Sequence, residues 1–340
     1  MVTIEASDPL ADGDPVTALI GPARAAVPDC TAVSGVKRLT GGANQETWAF
    51  DAITPRGSEP LILRRARGGI LQRGTGIGLE IEAHVIRVAY EYDVAVPEVL
   101  LVLGAEFGIG DGFIMRRIAG ETVPRKILKG EAFAHVRPLL AAQCGKALAT
   151  VHAVPTEPLD QLKSFTPIGR VEWLYEHFLA TEQVSPVFSY AFAWLREHAP
   201  PAPEKPALTH GDFRNGNLMF DQQGIRAVLD WENAHIGDPA EDLGWFCIPS
   251  WRFGNLDNPA GGFGSREDLL AGYGKAGGTV PSPERLRFWE TYGSLYWGMV
   301  CARSVNEFRR GIDYSIERAM IARRVSETEL DLLRLLAPRT

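Results

Sequence analysis

The sequence predicts an α+β protein in two lobes, a small N-terminal lobe built on an antiparallel sheet over residues 1–118 and a larger, mainly helical C-terminal lobe over residues 119–340. Three observations carry the prediction. Short strand-like runs separated by glycines fill the first third of the chain. Beyond residue 130 the apolar residues recur at steps of three and four instead, the period of amphipathic helices. A length of 340 residues also suits one large or two modest domains, at a soft prior of about 150 residues each.

Residues 1–30 mix Pro, Gly and Asp with a short amphipathic stretch. A first strand is expected at Val33–Leu39, a second at Thr47–Asp51 after the Gly41-Gly42 interruption, and a third at Pro60–Ala66, so that the three form a meander. Ile81, Val85 and Ala89 lie four apart and predict a helix over Leu79–Tyr90. Strand character returns at Pro97–Leu103 and Gly112–Ile118, which completes the order βββαββ. Phe133, Val136, Leu140, Cys144, Leu148 and Val151 then predict one long helix ending before Pro155. Helical pattern continues over 170–198 and stops at the proline-rich 199–206. Three apolar runs at 207–209, 217–220 and 225–229 read as strand fragments, and helices follow from 239, with a long one at 282–309 and a last one at 315–336.

Composition narrows the function. The chain carries 35 Lys and Arg against 42 Asp and Glu, a formal charge of −7. That balance gives no general attraction to phosphate backbones or anionic lipid, so nucleic acid and membrane are not the expected partners. The four cysteines are scattered, the first residues are acidic, and no run of 18 apolar residues occurs, which together predict a cytoplasmic protein with reduced thiols.

Chemistry concentrates in His210-Gly211-Asp212-Phe213-Arg214-Asn215-Gly216-Asn217 and, further on, Asp230-Trp231-Glu232. A loop after a short strand can aim Asp212 at a substrate hydroxyl, while Asn217 turns toward a metal and Asp230 offers the same ion an anionic oxygen. Hard oxygen ligands of this kind suit Mg²⁺ bound with a nucleotide triphosphate. Phosphoryl transfer needs little else: in-line positioning, a carboxylate to receive the proton and neutralisation of the phosphate oxygens. His210 reads as a residue that holds the loop, and Asp238 and Asp242 as carboxylates that hold the loop and a helix N-terminus.

HGDFRNGN, DWE and the following GDPAEDL at 237–243 resemble the signature of the aminoglycoside phosphotransferase and choline kinase family, which has the protein-kinase-like fold. The resemblance reaches back to about residue 31 and implies ATP and Mg²⁺ as cofactors. It places Gly41, Gly42 and Asn44 of LTGGANQETWAF near the phosphates, Arg64 of LILRR where the phosphate-binding cation sits, and Glu82 where an acid orients that cation. Arg65 neighbours Arg64 and Glu80 lies two residues from Glu82; in each pair only one can face the nucleotide. Met115, with the backbone of Arg116 to Ile118, is implied at the adenine. Acceptor contacts are expected from Arg214, Tyr296 and Arg303, the last two on a helical stripe with Trp289, Tyr292 and Met299. Over 282–310 five arginines face three glutamates, a balance of +2 that disfavours a polycationic antibiotic, and Arg125, Lys126 and Lys129 suit an anionic tail. GGANQET, LRR and RRVSETELDLL are similar to the branch of the family joined to acyl-CoA dehydrogenases, which implies a hydroxyacyl-CoA acceptor. The alternatives are an aminoglycoside or choline-type kinase and a nucleotide-binding pseudokinase; the latter would normally lack a base or metal position, and here none is missing.

Overall fold

Period-two burial builds the first sheet. In β2 (Glu46–Thr54) Trp48, Phe50 and Ala52 are buried on one face, and Leu61 and Leu63 continue that face in β3 (Gly57–Arg65). The computed structural model describes residues 10, 13–39, 45–66, 76–181, 183–312 and 315–337. They form two compact units, one comprising residues up to 120 together with 226–234, the other residues 121–225 together with 235 onward. The segment 226–234 thus joins the first unit, although a single cut after residue 118 assigns it to the second.

The first unit holds five antiparallel strands in the order β1-β2-β3-β5-β4, with β1 at Ala32–Leu39, β4 at Val99–Val102 and β5 at Gly112–Arg116. The expected meander is β1-β2-β3, paired throughout β2 and β3 from Glu46 opposite Arg65 to Thr54 opposite Gly57. Helix α1 (Pro15–Ala26) was visible in the sequence only as an amphipathic stretch. Asp14 caps it, accepting from Val16 N at 3.1 Å and Thr17 N at 3.3 Å, and its Leu19 and Ala23 join Trp48, Phe50 and Leu61 in one core. Helix α2 (Leu79–Glu91) buries Leu79, Glu82, Ala83 and Ile86, a stripe at helical spacing that contains a carboxylate. Glu80 is exposed.

In the second unit the long helix expected from residue 133 begins only at Leu140. Glu131–Phe133 and Arg137–Leu139 are separate single turns, and α3 (Pro124–Lys129) precedes them. Pro138 explains the break, since it has no N–H and its ring crowds the carbonyl four residues back. Helix α4 (Leu140–His152) follows. The helical pattern over 170–198 resolves into α5 (Pro167–Leu179) and α6 (Pro186–Glu197), each with a Pro in its first turn and a hydroxyl cap, Thr166 and Ser185. The expected strand fragments are β6 (Ala207–Thr209), β7 (Leu218–Asp221) and β8 (Gly224–Val228), of which residues 226–228 of β8 count with the first unit. β6 pairs antiparallel with β9 (His235–Gly237), which has one apolar side chain, Ile236, and so no apolar run to mark it in the sequence. After it come α7 (Ala240–Cys247), α8 (Arg266–Lys275) and α9 (Pro283–Arg309), and the last expected helix is two, α10 (Ile316–Ala322) and α11 (Val325–Leu336). Trp289, Tyr292, Tyr296 and Met299 of α9 are buried with Leu174, Phe188, Trp245 and Leu332 in the helical core. All four cysteines are buried free thiols, and no helix among the described residues is long and apolar enough to cross a membrane.

Helices α4 and α8 meet backbone to backbone. A Cβ on Gly145 would collide with the carbonyl oxygen of Leu269 and lie 2.7 Å from Tyr273 N. The contact allows His152 Nδ1, at the end of α4, to reach Tyr273 Oη on α8 at 2.9 Å. Gly145→Ala is therefore expected to lower the unfolding free energy by about 1–3 kcal/mol, an overpacking cost that urea denaturation measures; an unchanged midpoint and slope would refute it.

Candidate active site

In the second unit the loop after β6 is tied down by one buried carboxylate. Asp242, in the first turn of α7, accepts from His210 N at 2.8 Å and Gly211 N at 2.9 Å, and from His152 Nε2 at 3.0 Å. Burial opposes the charge on Asp242, but the hydrogen bond from His152 and its other donors outweigh burial and hold the carboxyl below its ordinary range. Gly211 adopts φ 76°, a left-handed turn that favours glycine, and His210 Nδ1 accepts from Asp212 N at 3.1 Å. His210 thus holds the loop, as expected. His152 does more than pack: it is the link between α4, α8 and Asp242.

The loop presents the Asp212 carboxylate to three donors. Arg214 Nε lies 3.0 Å from Oδ1 and 3.2 Å from Oδ2, Asn217 Nδ2 lies 2.7 Å from Oδ2, and Trp245 Nε1 lies 3.0 Å from Oδ1. Asn217 Nδ2 also donates to Asp212 O at 3.0 Å, so its amide nitrogen faces Asp212 and its carbonyl oxygen Oδ1 is turned away, the atom suited to a hard cation. The Arg214 guanidinium rests 4.8 Å over the Trp251 ring. Tyr296 is 5.5 Å from Trp245, centroid to centroid, and is core rather than open surface. Arg303 pairs with Glu307 at 3.3 Å, one turn further along α9.

In the first unit strand alternation separates the two arginines. Arg65 shares the face of Leu61 and Leu63, where it is buried against Glu46 Oε2 at 2.7 Å and Ile109 O at 3.0 Å. Arg64 points the other way and gathers three carboxylates: it is hydrogen-bonded to Asp230, 3.4 Å from Glu82 and 3.7 Å from Glu232, and also bonded to Gln45. Glu82 Oε1 accepts from Trp231 N at 3.2 Å. Burial pushes the Glu82 carboxyl up to about 7 against the pull of Arg64, and the nearby Asp230 adds to the rise. Asp230 has φ 69°, a left-handed backbone uncommon outside glycine and a form of strain that collects at functional sites. Three acids around one guanidinium make a negatively charged cluster, an environment suited to a divalent cation. Among the described residues no group of three or more His, Cys, Asp and Glu is arranged to hold a metal by itself. Mg²⁺ fits that pattern, because it keeps water and substrate phosphates as ligands and takes only one or two from protein.

Gly41, Gly42 and Asn44 lie outside the described residues. Met115 sits on β5 opposite Ile62 and Val99, and the Arg116 side chain pairs with Glu59 and Glu98, each at 2.7 Å. The N–H of Arg116 donates to Glu98 O and that of Arg117 to Pro60 O, both at 3.0 Å, so Ile118 alone of the three forms none of the described backbone hydrogen bonds. Sequence reasoning missed Gln45, Glu232 and Trp245 as partners in these clusters. Gln45 and Glu232 lie inside quoted motifs, whereas Trp245 carries no signal beyond its place two residues after GDPAEDL.

A kinase-like phosphotransferase fold is the class that these units define. Residues 35–289 match the model of the phosphotransferase enzyme family, and the chain belongs to that family. Among curated proteins it is similar to acyl-CoA dehydrogenase family member 11 of Mus musculus, 25% identical over 227 residues, 63% of this chain and 28% of that protein. The Pongo abelii protein of the same name is 27% identical over 258 residues, 69% of this chain and 32% of that protein. The chain thus spans about a third or less of those relatives. Among solved structures, an inferred aminoglycoside phosphotransferase of Ralstonia eutropha JMP134 superposes with a TM-score of 0.72 at 19% identity, over 94% of this chain and 97% of that one. Macrolide 2'-phosphotransferase MphH of Brachybacterium faecium gives 0.59 at 20%, over 96% and 99%. A thermostable mutant of aminoglycoside phosphotransferase APH(4)-Ia, solved with AMP-PNP and hygromycin B, gives 0.60 at 18%, over 94% and 99%.

Proposed function

We propose that this chain is an ATP- and Mg²⁺-dependent kinase that phosphorylates a hydroxyl group of a small, anionic metabolite in the cytoplasm. The observation that carries the reading is the HGDFRNGN loop, where Asp212 and Asn217 are hydrogen-bonded to each other in a member of the phosphotransferase family. Asp212 takes the proton of the acceptor hydroxyl as its oxygen bonds to the γ-phosphorus, and the bond to the bridging oxygen breaks to release ADP. Asn217 Oδ1 and Asp230 are the proposed metal ligands. Bound Mg²⁺ supplies neutralisation of the phosphate oxygens. Arg64, oriented by Glu82 and Gln45, binds phosphate through its planar fork. Gly41, Gly42 and Asn44 serve the phosphates, and Met115 with the backbone of Arg116 to Ile118 the adenine, Ile118 offering the backbone groups the strand does not use. The AMP-PNP complex of APH(4)-Ia supports ATP as the donor.

The acceptor is proposed to be anionic, a hydroxyacyl-CoA ester being the favoured class. Exposed Arg125 and Lys129 and the surplus of arginines over 282–310 support it, as do relatives named for acyl-CoA dehydrogenases, while Lys126 is paired with Glu121 at 2.7 Å. Arg214, Tyr296 and Arg303 are its proposed contacts. ATP consumption measured against hydroxyacyl-CoA esters, choline and kanamycin tests this. Turnover is expected with the ester and not with kanamycin, and Arg303→Ala should raise KM for the ester more than for ATP. Efficient phosphorylation of kanamycin, independent of Arg303, overturns the acceptor while leaving the kinase reading in place; no ATP consumption with any hydroxylated compound overturns the latter.

A further inference from the structure

Asp212 has more partners than a proton acceptor can keep. Arg214 touches both of its oxygens, Asn217 holds Oδ2 and Trp245 holds Oδ1. Each carboxylate oxygen accepts about two hydrogen bonds, so a substrate hydroxyl needs at least one donor to leave. Arg214 is the mobile one. Its side chain is 26% exposed, its long stem lets it swing, and its charge is drawn to any incoming phosphate. Trp245 has no such freedom. It is 5% exposed, its ring lies 5.2 Å from Trp251 and 5.5 Å from Tyr296, and Gly293 packs so close that a Cβ there would lie 3.2 Å from its ring. An indole N–H donates and never accepts, so it cannot compete for the proton. Its neighbour Trp251, and Trp297 beyond that with its ring tilted 59° to Trp251 and the centroids 4.8 Å apart, have buried Nε1 atoms with no hydrogen-bond partner among the described residues. Of these three indoles Trp245 alone uses its N–H, and it uses it on Asp212.

We propose that Trp245 is a positioning residue: its indole N–H fixes Oδ1 of Asp212 when Arg214 departs, so that the carboxylate cannot rotate and meets the acceptor hydroxyl in one orientation. The inference rests on Asp212 being the base. Loss of this donor leaves the carboxylate free to turn.

Trp245→Phe keeps an aromatic ring and deletes the N–H. Acceptor-free hydrolysis of Mg·ATP, with water as the phosphate acceptor, is expected to slow by about tenfold or more at constant KM for ATP. Trp297→Phe, which deletes an indole N–H from the same tryptophan cluster, is expected to leave that rate in place. A Trp245→Phe rate equal to wild type, or an equal loss in Trp297→Phe, overturns the proposal. Should Trp245→Phe not fold, ¹⁵N-tryptophan-labelled wild type and Asp212→Asn serve: the Trp245 indole N–H signal should move between the two, and no movement refutes the contact. Hydrolysis by Asp212→Asn at the wild-type rate, with the indole signal shifted, instead condemns the base assignment and leaves the hydrogen bond standing.

Discussion

Asp212→Asn is expected to lower phosphoryl transfer by about 10²–10⁴ while ATP affinity stays within a few-fold. The substitution preserves size and keeps one carbonyl oxygen for Trp245 Nε1 and Arg214 Nε, which lie 3.0 Å from Oδ1 in the native loop. It places an amide nitrogen against Asn217 Nδ2, where two donors now face each other. Asn217 can answer by inverting its amide. The loop itself survives, because Asp242 and His210 hold it through the backbone of residues 210–212. What is lost is the one carboxylate of the HGDFRNGN loop, and with it the proposed proton acceptor. Single-turnover rates and ATP titrations of the two proteins check the expectation, and activity near wild type removes Asp212 from that role.

Asp230→Ala is expected to abolish turnover and to remove the dependence of nucleotide binding on Mg²⁺. Alanine also fits poorly at φ 69°, a conformation in which Asp and Asn are better tolerated, so Asp230→Asn is the companion variant that removes charge without adding backbone strain. Both leave Arg64 with Glu82 and Glu232, two carboxylates in place of three. Asp238→Ala is the contrast. Asp238 accepts from Arg285 Nε at 2.8 Å and Trp289 Nε1 at 2.7 Å in the helical core, and its loss should cost about 3 kcal/mol of stability with little effect on Mg·ATP binding by the folded fraction. Calorimetric titration with ATP at low and high Mg²⁺ separates the cases. Equal Mg·ATP affinity in Asp230→Asn and wild type would sink the metal assignment.

The order of strands and helices in the first unit was legible because alternation and helical spacing are local properties. So was the loop from His210 to Asn217, whose residue types are uncommon together. Proline misled at residue 138, where apolar spacing alone runs straight through a residue that cannot continue a helix. The choice between Arg64 and Arg65 needed the register of β3 against β2, a tertiary fact: Glu46 lies opposite Arg65 and claims it. Trp245 and His152 were out of reach for a related reason. Each acts across 33 and 90 residues of sequence, on Asp212 and Asp242, and a tryptophan or histidine on an amphipathic helix looks the same whether it packs or holds a carboxylate.

The return of residues 226–234 to the first unit bears on how such a chain can be inherited. A recombination event that joined residues 1–120 to a foreign partner would carry the whole five-stranded sheet, yet it would strand Arg64 without Asp230 and Glu232 and leave the buried Glu82 without the Trp231 N–H that it accepts. The sheet is therefore not a portable cassette. A short stretch deep in the second half of the sequence supplies the counter-charges on which the first half depends.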